Sequence, residues 1–400
     1  MRFFDSKIEI LFFEVFMAKH YIGLVDCDCF FVSAERAYNP KLKGIAVAVL
    51  SNNDGCVISR SKEAKALGLK MGEPYFKAKH EYPQILYVRA NHELYQKISN
   101  KVMNKLKSYT DEVEVCSVDE AYIELTGLKK LYKKNYIEIA KMIREEILLD
   151  LDIPVSIGVS STKTLAKLAS DKAKTSGGIF VIGNAKRNKV LRETSILDIA
   201  GVGKKVGEKM REECIFTGLD FISRPDYWIR SQFHKNGMDL KNELNGISLF
   251  SVMREHKAPT SIQQTAALKE FSKDIEVLEK DLIKHIRKAA QRARSEKARA
   301  LMIEVMLRDK EFRVFTQKLK LPFATNQEME IIPLALQVLR NMYNPYSVWR
   351  SVGIVLSHLV YGDVCQNDLF GKVEKSDERL GLALDKLEEK FGKGIIKIGK

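Results

Sequence analysis

The sequence predicts an α+β protein of several domains whose first sheet is mixed or antiparallel. Three observations carry that prediction. A chain of 400 residues has room for about two to four domains with ample core. The segments "VEVCS" (113–117) and "AYIEL" (121–125) alternate as short strands with only "VDE" joining them, too tight a link for a crossover helix. From Ile262 onward the periodicities run β-α-β-β-α-β, which suggests a small ferredoxin-like domain whose sheet can lie on a partner.

The elements follow in order. "IEILFFEVFM" (8–17) holds two glutamates. It is too short to span a bilayer and lacks a small-residue cleavage site, so it predicts neither a span nor a signal peptide. Met17 could equally be the natural start, leaving residues 1–16 as an upstream extension. "YIGLVD" (21–26) and "IAVAVL" (45–50) read as buried strands, and Asn91 to Tyr109 as a helix. After the hairpin come a helix near 134–149, a strand "VSIGVS" (155–160) and a helix from Thr162 to about Lys174. "SGG" (176–178) and "NAKRNK" (184–189) open a compact helical segment, and "MREHKAPTS" (253–261) is a polar linker candidate. The last domain then sets helices at 274–297 and 326–342 among strands at 262–271, 298–308, 313–321 and 347–360. A tail and a short helix follow Tyr361. No internal repeat or low-complexity tract interrupts the chain.

Charge narrows the partners. The net charge is +14, which favours polyanions, nucleic acid first among them. Between Ile286 and Lys320 eleven Lys/Arg stand against four Asp/Glu, a net +7 and half the total. That run crosses from a helix into strands, which suits a DNA-tracking surface better than one solvated helix face. The six cysteines (27, 29, 56, 116, 214, 365) form no CxxC pair. Reduced thiols in the cytoplasm are expected, with neither a disulfide frame nor a zinc site.

Five motifs carry chemistry. In "VDCDCFF" (25–31) a buried strand ends in Asp26, at a sheet edge where sites are often built. In "CSVDEAYIEL" (116–125) Asp119 and Glu120 are adjacent. On a regular strand they would point apart, but at a hairpin tip the alternation breaks and both can converge on one cation. A solvated turn is the plainer reading. The three carboxylates, with no compensating Lys or Arg nearby in sequence, would repel one another unless divalent cations bound there. Oxygen-only ligands suit Mg²⁺ holding phosphates. Asp28 is a weaker metal candidate than Asp26. In "SNNDGCVISRSKEAKALGLKMGEPYF" (51–76), Ser59, Arg60, Lys62 and Lys65 sit where a turn passes into a helix, a ready anion site or simply an ordinary helix start. In "TKTLAKLASDKAK" (162–174), Lys163, Lys167 and Lys174 share one helix face, either for phosphate or for solvent. In "DIAGVGKKVGEKM" (198–210) no Walker or dinucleotide pattern fits. Gly201 and Gly203 read there as a hairpin whose amides can accept a backbone phosphate.

These motifs, "DCDCFFVSAERAYNP", "SNNDGCVISRSKEAKALGLKMGEPYFK", "CSVDEAYIEL" and "GVSSTKTLAKLASDKAK", resemble those of the Y-family translesion DNA polymerases in order and spacing. Within that family the chain looks like the UmuC-like branch, the catalytic subunit of bacterial DNA polymerase V. The resemblance covers nearly everything from Tyr21 onward. It implies a right-hand polymerase with a ferredoxin-like palm (17–29 and 92–182), small fingers (30–91) and a helical thumb with a helix-hairpin-helix (183–252). A linker (253–261), a βαββαβ little finger (262–360) and a tail (361–400) complete it.

The resemblance also assigns roles. Asp26, Asp119 and Glu120, with the backbone carbonyl of Cys27, look like the ligands of two catalytic Mg²⁺ ions. Phe31 matches the steric gate that excludes ribonucleotides, with an ordinary core Phe as the alternative. Ser59, Arg60, Lys65 and Lys174 match positions around the incoming deoxynucleoside triphosphate. Lys62 stands where many relatives carry Tyr, but is counted with them. Gly201, Gly203 and Lys204 of the thumb and Arg292, Arg294 and Arg299 of the little finger are the candidate contacts to primer–template DNA.

"QNDLF" resembles a sliding-clamp-binding pentapeptide, with Leu369 and Phe370 filling a pocket and Gln366 adding hydrogen bonds. A UmuD-like subunit and a recombinase filament are the further partners implied, with no membrane. The expected activity is template-directed, low-fidelity DNA synthesis in SOS mutagenesis and repair. Its rivals are an inactive DNA-binding accessory protein recruited to the clamp, and a palm-fold nucleotide cyclase. Retention of all three carboxylates counts against the first, and the thumb hairpin and basic C-terminal domain against the second.

Overall fold

Six buried residues, Ile22–Cys27, form strand β1 at the middle of a five-stranded sheet. The structure, a computed structural model, describes residues 20–51, 55–254 and 258–362, with positions 381, 383, 385–387 and 390. The chain divides into two units, Met1–His256 and Lys257–Lys400.

In the first unit β1 leads into helix α1 (Phe30–Tyr38) and then strands β2 (Val47–Leu50) and β3 (Val57–Arg60). Two short helices, α2 (Lys62–Ala66) and α3 (Tyr75–Glu81), precede strand β4 (Leu86–Arg89) and helix α4 (His92–Lys107). The hairpin β5 (Val113–Val115) and β6 (Glu120–Glu124) follows, then α5 (Leu128–Tyr132), α6 (Tyr136–Leu151), β7 (Val155–Ser160), α7 (Lys163–Ala173) and β8 (Ile179–Val181). Strands β5-β6-β1-β7-β8 make the main sheet, antiparallel except that β8 runs parallel to β7. Strands β3-β2-β4 make a separate small sheet with its own core of Ala48, Leu50, Val57, Leu69 and Ile85.

Alternation decides which side of β1 meets what. Val25 and Cys27 face a core shared with Phe30 of α1, Tyr95 and Leu106 of α4, and Ile143 of α6. Ile22 and Leu24 face the other way, against Ala166 of α7. Burying an aliphatic side chain on each side contributes about 1.5–3 kcal/mol, so α7 makes this a sheet closed on both faces. It lies close because of one glycine. A Cβ on Gly158 of β7 would sit 1.9 Å from the Ser170 amide nitrogen and 2.4 Å from the Ala166 carbonyl oxygen. Helix α6 begins with a capping box, Asn135 accepting from the Glu138 amide and Glu138 from the Asn135 amide, as its sequence dictates.

The helical segment comprises α8 (Asn184–Glu193), α9 (Lys204–Glu212), α10 (Gly218–Ile222) and α11 (Asp226–Leu244), the last broken at His234. Leu191, Ile199, Met210, Phe221 and Ile229 are its core.

The second unit runs β9 (Ser261–Ser272), α12 (Ile275–Ser295), β10 (Ala298–Asp309), β11 (Val314–Thr325), α13 (Glu328–Met342) and β12 (Trp349–Tyr361). Its antiparallel sheet has the order β11-β10-β12-β9. Leu278, Leu282 and Ile286 of α12 and Ile331 and Leu339 of α13 pack on Ile303, Val305, Ile354 and Leu356. The other face is mostly polar or small in register, Met306 and Val355 apart: Lys318, Glu304, Val355 and Gln263 lie in one row, and Thr316, Met306, Gly353 and Thr265 in the next. Pro322 sits on the edge strand β11, where a missing donor costs no ladder bond.

Arg294 departs from the expectation that it meets DNA. Its side chain is 4% exposed, and the guanidinium binds Asp385 through two bonds of 2.6 and 2.8 Å. It also donates to the Asn326 carbonyl at 3.0 Å and lies 3.5 Å from Glu328. A bidentate, buried guanidinium is committed to structure. Arg292 is exposed on α12 and Arg299 half-buried on β10 opposite Val360. Residues 1–16 and the segment holding Gln366, Leu369 and Phe370 lie outside the described residues.

Candidate active site

Asp26 and Glu120 meet because β1 and β6 put them directly opposite each other in an antiparallel ladder. Opposed residues share a face with Cβ atoms about 5 Å apart. That face is the one α7 covers, and Lys167 of α7 and Lys174, its C-cap, reach the pair. Lys174 Nζ is 2.7 Å from Asp26 Oδ2. Lys167 Nζ binds Glu120 and lies 3.5 Å from Asp26 Oδ2. The sequence suggested carboxylates without cationic neighbours, but folding brings lysines in from 47 residues away for Glu120 and 148 for Asp26.

Burial, then the adjacent Asp26 carboxylate, hold the Glu120 carboxyl above the usual carboxylate range. Burial opposes the charge on Lys167 and Lys174, but their carboxylate partners raise both ammonium groups above the ordinary value. The buried Cys27 thiol is pushed up by burial and then by Asp119, Asp26, Asp28 and Glu120. It stays protonated beneath the cluster.

Asp119 and Glu120 do not share an orientation. Glu120 is the first residue of β6, so the connection is Cys116–Asp119, shorter in strand and longer in turn than the motif suggested. Ser117 holds the turn: its hydroxyl donates to Asp119 at 2.5 Å and accepts from the Glu120 amide at 3.1 Å. The Asp119 carbonyl accepts from the Cys27 amide at 2.9 Å, which ties the turn to the end of β1. Asp28 accepts from Ser156 at 2.8 Å, away from this pair. Lys163, expected on a phosphate-binding face with Lys167 and Lys174, instead pairs with Glu114 at 2.5 Å over the Tyr122 ring.

Among the described residues no three acidic, His or Cys side chains already stand together as a metal cage, and the Asp119 carboxylate is bonded to Ser117. The donor set still fits Mg²⁺. It is oxygen-only, and an ammonium already bridges the two opposed carboxylates, so the position favours a cation.

The small sheet treats its predicted residues unevenly. Ser59 is buried on β3 opposite Val49. The Arg60 guanidinium donates to the Leu69 carbonyl, which ties it to the loop after α2. Helix α2 has five residues, and Ser61 caps it by accepting from the Ala64 amide at 3.1 Å. The anion site expected at a helix start is thus occupied by the chain itself, with Lys62 and Lys65 exposed beside it. In the helical segment Gly201 has φ +93, where a side chain is strained. Gly203 caps α9 with no side-chain acceptor, leaving the first amides of that helix and the exposed Lys204 for an external anion.

Phe31 is half-buried on the first turn of α1. Its ring stacks on Tyr95 of α4, centroids 4.7 Å apart and planes at 24°, and meets His92 edge-on at 6.2 Å. The Tyr95 hydroxyl donates to Glu35 at 2.6 Å. Neither Tyr95 nor Glu35 was singled out from sequence. Their signal is the spacing of Phe31 and Glu35 on one helix face; nothing local points to Tyr95.

Comparison with known proteins agrees with this geometry. Residues 25–171 match the impB/mucB/samB family and residues 259–369 its C-terminal domain. The chain is 30% identical to Protein SamB of Salmonella typhimurium over 395 residues, covering 94% of this chain and 91% of that protein. It is 30% identical to DNA polymerase IV 1 of Bacillus subtilis (strain 168) over 390 residues, with the same two shares. Protein UmuC of Salmonella typhimurium is 29% identical over 389 residues, with 94% and 92% covered. Among solved structures a Y-family polymerase chimera, Dbh-Dpo4(243-245)-Dbh, superposes with a TM-score of 0.72 at 25% identity, covering 86% of this chain and all of the other. A carboxylate-bearing palm sheet and a separate βαββαβ unit define a Y-family DNA-directed DNA polymerase of the translesion class. The chain belongs to the impB/mucB/samB family, with UmuC among its relatives.

Proposed function

We propose that templated nucleotidyl transfer takes place at the cluster of Asp26, Asp119 and Glu120, which with the Cys27 carbonyl holds two Mg²⁺ ions. The observation that carries this reading is the register pairing of Asp26 with Glu120 under two lysines. When bound, such ions stabilise the attacking and leaving oxygens of a phosphoryl transfer. The chain's own residues supply position and charge. Ser117 keeps Asp119 at the end of β1, and freeing the Asp119 carboxylate needs only a side-chain rotation. Lys174, which pairs with Asp26 at 2.7 Å, would be the cation for the triphosphate of the incoming deoxynucleotide if Asp26 held a metal ion. Ser59, Arg60, Lys62 and Lys65 line the nucleotide side of the fingers, with Arg60 acting through the Leu69 loop. Phe31 presents its ring edge as the gate against a ribose 2′-hydroxyl.

Residues 17–29 and 92–182 act as palm, 30–91 as fingers, 183–252 as thumb and 262–360 as little finger, with 253–261 as linker. Primer–template DNA is held through phosphates. The thumb contributes Gly201, Gly203 and Lys204, and the little finger Arg292, Arg299 and the lysines of its open sheet face. The tail from 361 recruits a sliding clamp through Gln366, Leu369 and Phe370. A UmuD-like subunit and a recombinase filament act with it in the bacterial cytoplasm, at the nucleoid.

The test is primer extension on an undamaged primer–template, one deoxynucleotide at a time, with Mg²⁺ and with EDTA, for the wild type and Asp119→Ala. Metal-dependent templated insertion that the variant loses, while still binding DNA, supports the reading. Undiminished insertion by Asp119→Ala overturns the metal-site assignment.

A further inference from the structure

Under Phe31 the fold builds a two-point grip. Phe31 and Glu35 are one helical turn apart on α1, so they project from the same face. Both hold the same residue: Phe31 stacks on the Tyr95 ring at 4.7 Å, and Glu35 accepts from the Tyr95 hydroxyl at 2.6 Å. Tyr95 is 1% exposed and Glu35 8%. A carboxylate buried on the core side of a helix is costly unless hydrogen-bonded, and here its side-chain partner is this hydroxyl. Phe30 closes the cluster edge-on at 6.4 Å from Tyr95. Burial and Glu35 push the Tyr95 hydroxyl well above its ordinary range, so it remains a donor at every working pH.

We infer that Tyr95 and Glu35 are positioning residues for sugar selection: they fix the height and tilt of the Phe31 ring, so that it excludes a 2′-hydroxyl without obstructing a deoxyribose. The inference rests on the reading of Phe31 as the gate. A gate discriminates only if its ring cannot retreat. A half-buried phenyl on a first helical turn has staggered rotamers available, and two aromatic contacts and a bonded neighbour remove that freedom. The hydroxyl matters through the ring: the bond to Glu35 stops the Tyr95 side chain from swinging to another rotamer, and Tyr95 stops Phe31 from tipping away from the nucleotide. Specificity set this way depends on a support lying outside the reach of the substrate.

The experiment is single-nucleotide insertion kinetics on the full chain, comparing kcat/KM for each dNTP with that for the matching rNTP. Phe31→Ala, Tyr95→Leu, Tyr95→Phe, Glu35→Leu and Glu35→Gln are measured beside the wild type. Tyr95→Leu loses a stacking contact, so the dNTP/rNTP ratio is expected to fall about tenfold. Deoxynucleotide insertion should stay within a few fold. Tyr95→Phe and Glu35→Leu, which keep the ring but cut the bond, should lower the ratio less, and Glu35→Gln, which keeps an acceptor, should restore it. A ratio unchanged in every Tyr95 and Glu35 variant, while Phe31→Ala collapses it, overturns the inference and leaves the gate standing. A ratio unchanged in Phe31→Ala itself overturns the gate reading and the inference with it. Should Tyr95→Leu melt early, Tyr95→Phe and Glu35→Leu still decide the matter.

Discussion

The palm sheet and the sheet of the second unit thread the same β-α-β-β-α-β order yet set the strands side by side differently. In the palm the first and third strands of that series, β1 and β6, are neighbours in the interior of the sheet. In the second unit the second and fourth, β10 and β12, take the middle. The palm sheet is covered on both faces, by α1, α4 and α6 on one and α7 on the other. The second sheet has its helices on one face, and its other face carries Lys318, Thr316, Gln263 and Thr265. The difference fits the roles proposed for each. A carboxylate cluster needs fixed register and a poorly solvated setting in which charges act strongly. A surface meeting a polyanion needs cations that stay hydrated and replaceable.

Predictions can break or sharpen this contrast. The largest effect belongs to the doubly covered sheet. Gly158→Ala pushes α7 off β7 and should cost on the order of 3 kcal/mol or more. It should also lower insertion, because Lys167 and Lys174 move with the helix; a variant with unchanged melting and kinetics would refute the close-packing argument. In the second unit, Arg294→Ala should cost about 3 kcal/mol. Hydrogen exchange should quicken in the α12 and α13 peptides while palm peptides keep their protection. If Arg294 instead served DNA, affinity would fall and exchange would not change.

Smaller effects belong to the open face. Lys318→Ala with Lys320→Ala should reduce the slope of log affinity against log salt by about 0.9 per lysine that meets a phosphate. Insertion from the bound complex should be untouched, and an unaltered salt slope would remove this face from the DNA interface. The smallest effect is acid sensitivity in α12. Burial, aided by Lys288 and Lys284 and opposed by Asp281, lowers the His285 pKa from 6.5, and its Nε2 has no partner. The unfolded chain therefore takes up the proton first. The stability contribution is complete above pH 6.5 and is lost as pH falls towards the lower folded value. His285→Phe should flatten that slope in melts of the second unit between pH 7 and 5.

Much of this molecule can be read along the chain. Period-2 runs place β1, β7, β10 and β12 within a residue or two, because alternation is a local property. "SVDE" marks the turn bearing Asp119 and Glu120, and "GVG" the hairpin before α9. What cannot be read locally is which groups meet. Asp119 turns to Ser117 while Glu120 enters a strand, since pairing with β1 begins one residue earlier than the apolar pattern shows. Arg60 looks like a phosphate ligand in its motif, yet its guanidinium closes a loop at Leu69.

By itself the sequence determined the order of elements, the residue types available for a cation and a polyanion, and the family. Tertiary structure decided their charge partners: Lys167 and Lys174 for the carboxylates, Asp385 for Arg294, Tyr95 for Phe31. The physical reason is range. Propensity and alternation act over a few residues, whereas an ion pair or a ring stack forms wherever two segments pack, and its strength depends on how much water that packing excludes.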